Sequence, residues 1–173
     1  MNKLQQTNMF RKDASAGVHR TRPRLNKKLL LPVERTFATK LCLTHHLSLA
    51  ACREDAGSDF LMSQLVRSLY MTYFLWRDGF GKAMPQLFED AEGALEASLN
   101  KGRNSGIWRM DAECVDVIGK VLLIHDDQLA AAPLHRVLDA EANVYGFLRS
   151  SDASDLIRLN HSKMQSARVS LRG

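Results

Sequence analysis

Apolar residues recur at three- and four-residue spacing over five stretches of the chain, the pattern of amphipathic helices. From about 33 to 54, Phe37, Leu41, Leu49 and Cys52 form one stripe, while Leu43, Leu47 and Ala50 fall on the opposite side. A helix apolar nearly all round is expected at the centre of a fold. From about 59 to 78, Met62, Leu65, Val66, Leu69, Tyr73 and Trp76 share one face. Met71, Phe74 and Leu75 leave this second helix little polar surface, so it too is expected to be central. The stretch from about 86 to 101 turns Leu87, Ala91, Ala94, Leu95 and Ser98 inward and Glu89, Glu92 and Glu96 outward. From about 112 to 131 the repeat is Val115, Ile118, Leu122, His125 and Leu129. From about 134 to 149 it is Leu134, Leu138, Tyr145 and Leu148, with Val137 and Val144 beside them. No stretch alternates with the two-residue period of a strand.

The punctuation agrees with these periods. Pro32, Pro85 and Pro133 stand where a first helical turn tolerates proline. Asp111, with Glu113 behind it, and Ser58-Asp59 supply capping oxygens and negative charge at two helix starts. Gly57, Gly79 and Gly102 follow periodic runs, as helix-ending glycines do. Short connections make sequential helices antiparallel neighbours. The expected fold is all-α, an antiparallel bundle of about five helices over residues 29–150. Residues 151–173 form a basic tail, frayed or carrying a short sixth helix from Asp155 to Met164 around Leu156, Ile157 and Leu159.

Charge divides the chain more sharply than its overall +5 suggests. Residues 1–28 carry eight basic groups and one acid, net +7; residues 29–148 carry 11 basic and 16 acidic groups, net −5. Residues 149–173 carry five basic and two acidic groups, net +3. The first segment has isolated apolar residues and no helical or strand period, so it is expected to be a disordered arm. Its densest part runs from His19 to Lys28 and holds Arg20, Arg22, Arg24, Lys27 and Lys28. The Arg-Pro-Arg step stays extended, because a residue before proline avoids the α region. Closely spaced guanidinium groups on extended chain suit a phosphate backbone or an acidic protein groove.

Motifs of catalysis are missing. Gly79-Phe80-Gly81-Lys82 is not a phosphate-binding P-loop, because Trp76 and Ala83 stand where glycine and a hydroxyl are needed. The basic turn from Lys101 to Gly106 could hold an anion, but a helix C-cap explains it better. Three cysteines without a CxxC pair argue for free thiols in a reducing cytosol and against a disulfide framework or structural zinc. His125, on the apolar stripe of the fourth helix, is the residue of most interest. If the first and fourth helices face each other, His45, His125 and Cys42 or Cys114 converge there. Neither cofactor, metal nor enzyme activity is expected. The first residues lack the apolar core of a secretory signal, and no uncharged run is long enough to span a bilayer, so a cytoplasmic protein is expected.

Trp108-Arg109-Met110-Asp111, and His125-Asp126-Asp127-Gln128-Leu129 leading to Ala132-Pro133-Leu134, together with the arm's Arg-Pro-Arg and the His45-His46-Leu47 helix, carry a resemblance. Over about residues 20–148 the chain resembles small, uncharacterised, all-helical bacterial proteins loosely labelled transcriptional regulators. The resemblance implies a bacterial, cytoplasmic helical protein and transfers no activity and no site residue. No helix-turn-helix is visible, since Gly102 and Gly106 interrupt the only basic candidate for a recognition helix.

Two functions follow from the residues. One is a nucleic-acid-associated regulatory or accessory protein that tracks phosphates with Arg20, Arg22, Arg24, Lys27 and Lys28, assisted by Arg168 and Arg172. The other is a protein–protein adaptor or inhibitor acting through the helical body, with a homodimer or protein partner on the acidic third helix or on a patch of Phe60, Met71 and Leu75.

Overall fold

The computed structural model describes residues 26–149. It is an all-α bundle: a short 3-10 helix η1 (Lys27–Leu30), then α1 (Arg35–Arg53), α2 (Asp59–Arg77), α3 (Pro85–Ser105), α4 (Ala112–Ala131) and α5 (Leu134–Arg149). The expected sixth helix, Arg168 and Arg172 lie outside the described residues, as do Arg20, Arg22 and Arg24.

Local chemistry sets most boundaries. The Ser58 hydroxyl accepts from the Leu61 amide at 3.3 Å, and Asp111 Oδ1 accepts from the Cys114 amide at 2.8 Å. These are N-cap bonds that satisfy otherwise orphaned donors. Pro85 is the first residue of α3. Pro32 starts no helix; it forms an isolated antiparallel bridge with Pro133, and α1 begins three residues later.

Gly102 does not end α3. The helix continues to Ser105 and stops at Gly106, which takes the left-handed φ of 73°. Gly102 is needed for a different reason: a Cβ there would lie 2.3 Å from the Trp108 ring. Likewise a Cβ on Gly57 would lie 1.9 Å from the Trp108 carbonyl oxygen. The loop before α4 is thus held tightly against the ends of α1 and α3, and the Met110 amide donates to the Cys52 carbonyl at 2.9 Å.

α2 is the centre of the bundle and packs against α1, α3, α4 and α5. Met62, Leu65, Leu69 and Leu75 from α2 meet Phe88, Leu95, Ile118, Leu122 and Leu129 in one core. α1 is not central. It packs chiefly on α2 and α4, and its outer residues Leu43 and Leu47 remain exposed, as does Phe37 from the stripe expected to be buried. α5 does not run back along α4. It lies antiparallel to α2, with Arg136 near Asp78 and Glu141 on Arg67. Its buried stripe is Val137, Ala140, Val144 and Phe147, one position away from the expected Leu138, Tyr145 and Leu148, which stay about half exposed. The physical reason is that α5 is covered by α2 along its length and by η1 only at its start, so it buries a single narrow stripe, and Tyr145 lies under the Arg67 guanidinium at 5.3 Å.

Two polar groups knit the core. Tyr70 Oη donates to Glu92 Oε1 at 2.8 Å, so Glu92 belongs to the interior and not to the acidic outer face expected for α3. Gln128 Nε2 donates to the carbonyls of Thr72 and Phe80, both at 3.0 Å, tying α4 to the turn after α2. The proposed patch of Phe60, Met71 and Leu75 does not form, because Met71 and Leu75 are buried and only Phe60 faces outward.

Candidate functional site

Of the five basic residues singled out in the arm, the described chain contains Lys27 and Lys28. They are not in a disordered segment: both sit in η1, and both are exposed. Asn26 caps this turn by accepting from the Lys28 amide at 3.2 Å. The segment that follows is pinned to the start of α5. The Leu134 amide donates to the Leu31 carbonyl at 2.8 Å, and His135 Nδ1 donates to the Leu29 carbonyl at 2.8 Å. Val33 then enters the core. The arm therefore leaves from a fixed root beside the α4–α5 junction, with two ammonium groups directed to solvent.

A second cluster lies between α1 and α4. His125 is 0% exposed, and His45 is buried against it with ring centroids 5.3 Å apart. Neither nitrogen of His125 has a hydrogen-bond partner, nor does Nδ1 of His45. Burial, reinforced by the Arg67 charge, holds the His45 pKa down to about 4; burial and the neighbouring His45 hold that of His125 down to about 3. Both rings are neutral near pH 7. At the edge of this pair His46 Nε2 donates to Asp126 Oδ2 at 2.8 Å. The Cys42 thiol also bonds to Asp126, and burial together with that carboxylate pushes it up to about 12.

The expected convergence of His45, His125 and Cys42 thus occurs on the α1–α4 seam. Cys114 is elsewhere, accepting from the Ser98 hydroxyl at 3.6 Å. Chemically the cluster is quiet. The thiol is held protonated, which removes the nucleophile. Among the described residues no group of three or more His, Cys, Asp and Glu side chains is placed to hold a metal ion.

A cavity of about 510 Å³ opens at the end of the bundle where α1 and α3 finish and α4 begins. Arg53, Lys101 and Arg109 line it above Met110 and Val115, with Asp111 and Asp116 at its α4 side. Arg53 pairs with Glu54 at 2.7 Å and Arg109 with Asp55 at 3.0 Å, so two of the three cations are already compensated. Sequence reasoning named Lys101, Arg109, Met110, Asp111 and Val115 in separate motifs and did not join them into one site. The lining residues come from the end of α1, the end of α3 and the start of α4 with the loop before it, and no local pattern joins them. Lys101 itself lies in the last turns of α3 and not in a turn after it, because the helix runs on through Gly102 and is capped at Gly106.

Comparison with protein-family models, with curated proteins and with solved structures yields no match. The class the geometry defines is an all-α bundle with a pinned basic segment at one end. No helix among the described residues is long and apolar enough to cross a membrane.

Proposed function

We propose that this is a nucleic-acid-associated regulatory or accessory protein in which the helical bundle anchors a basic N-terminal arm. The observation that carries this reading is the segregation of charge, +7 over residues 1–28 against −5 over residues 29–148. A polyanion is attracted to the first segment and repelled by the second, so the arm is where phosphates are held. The pinning of Leu29 and Leu31 beside α5 supports it, because binding at the arm is then mechanically coupled to the bundle. Arg20, Arg22, Arg24, Lys27 and Lys28 supply the affinity, with little readout of sequence.

The test is fluorescence anisotropy with a labelled random duplex over a salt series, using the full chain and a 29–173 truncation. The truncation removes all five residues and keeps the carbonyls of Leu29 and Leu31 that hold the bundle. Five neutralised phosphates predict a log–log salt slope of about −4 to −5. The full chain binds with at least that slope, and the truncation does not bind. Equal binding by both chains, or none by the full chain at low salt, refutes the proposal.

A further inference from the structure

The outer faces of α1 and α4 combine exposed leucines with unpaired opposite charges. Leu43 and Leu47 on α1 are 56% and 59% exposed, and Leu123 on α4 is 62% exposed. The two helices are antiparallel neighbours: His46 bonds to Asp126, and Leu49 lies against Gly119. Their charges are opposite. α1 contains Arg35, Lys40 and Arg53 and no acid; α4 contains Glu113, Asp116, Asp126 and Asp127 against Lys120. One turn from the leucines stand Lys40 on α1 and Lys120 and Asp127 on α4. None of these three has an ion-pair partner among the described residues.

We propose that a second copy of this chain covers this face, with α1 of each copy lying along α4 of the other. The surface is self-complementary, since the leucines of one helix meet those of the other and the basic helix meets the acidic one. That is what a twofold, isologous contact requires. Helices of this length are about 30 Å long and neighbours sit about 10 Å apart, so two side by side offer roughly 600 Å² per copy. Two copies bury roughly 1,200 Å², the lower edge of stable interfaces.

The pairing fixes the symmetry. For α1 to lie on α4 of the other copy, and not on its own counterpart, the twofold axis must run along the helices. Such an axis keeps both N-terminal ends of α1 at the same end of the dimer. Both copies of η1, and the arms that precede them, then emerge side by side. This step rests on the nucleic-acid reading: two arms at one end grip one duplex, and the second contact is made at high effective concentration.

Sedimentation equilibrium of the full chain without nucleic acid, over about 1–100 µM, tests the contact itself. The wild-type chain is expected to dimerise, and Leu47→Glu to weaken association at least about tenfold. Leu123→Arg does the same at a second exposed site, and the circular-dichroism spectrum of each variant reports its folding. Lys40→Glu and Asp127→Lys each weaken the dimer, and the double reversal restores it. A wild-type monomer at 100 µM, a dimer indifferent to Leu47→Glu, or a double reversal without rescue overturns the proposal. A dimer that behaves as described while the full chain binds no duplex refutes the nucleic-acid reading and leaves the interface standing. Where both hold, Leu47→Glu retains duplex binding with roughly half the salt slope.

Discussion

His125 is a titratable residue sealed inside the apolar core. It is 0% exposed, has no hydrogen-bond partner at either nitrogen and faces a second buried histidine. The consequence is acid sensitivity. His125 and His45 titrate near 3 and 4 in the folded chain, against about 6.5 when unfolded. Below about pH 6.5 the unfolded chain binds protons that the folded chain refuses. The stability these neutral rings permit is therefore complete above that pH and is lost as pH falls toward 4. Each histidine costs about 1.4 kcal/mol per pH unit through this window. Urea midpoints between pH 7 and pH 5 should show that decline, and His125→Leu should remove about half of it. At pH 7 the same variant should stay within about 1 kcal/mol of wild type, because no hydrogen bond is lost. The placement of His125 on an apolar stripe was legible in the sequence, and so was its meeting with His45. The bond from His46 to Asp126 was not: it depends on the rotation of α1 about its axis, which neighbours set and local pattern does not.

Among the elements, α4 matched its expected bounds because Asp111 caps it and a proline follows its end. α3 ran longer than expected, and the reason lies in Trp108. Glycine usually weakens a helix interior, so Gly102 reads as a stop until the indole ring packed on it is seen. Gly102→Ala consequently has two opposed effects, a gain of about 1 kcal/mol in helix propensity and a collision with the ring. The collision decides the sign, since the ring lies 2.3 Å from the added carbon and is itself packed against the core. A net loss of about 1–2 kcal/mol is expected in thermal melting. Gly146→Ala is the control: nothing lies within 4 Å, the site is an exposed turn of α5, and a gain of about 1 kcal/mol is expected. α5 also shows how a period can be right and its phase wrong. Val137, Val144 and Leu138, Tyr145, Leu148 form two adjacent apolar stripes, and packing on α2, with η1 at the start of the helix, selects the first.

The whole molecule depends on the short strap that joins the arm to the bundle. Removing residues 1–25 should leave the denaturation midpoint unchanged to within about 0.5 kcal/mol, since the strap contacts survive. Removing residues 1–33 takes away buried Val33 and the carbonyls of Leu29 and Leu31, and should cost about 2–4 kcal/mol. A urea titration of the two truncations separates these outcomes. By itself the sequence determined an all-helical chain, the existence of five helices, most of their starts and the opposition of a basic N-terminus to an acidic body. Those properties are local: periodicity, capping chemistry and charge are carried by neighbours along the chain. Only the tertiary structure decided that α2 and not α1 is the centre, that Glu92 faces inward and that Lys27 and Lys28 are held in a turn against α5. It also decided that Leu43, Leu47 and Leu123 stay in contact with solvent. The physical reason is that a helix with apolar residues on several faces can be buried on any of them. The choice falls to the partners that compete for each face, and these are brought together only by the folded chain.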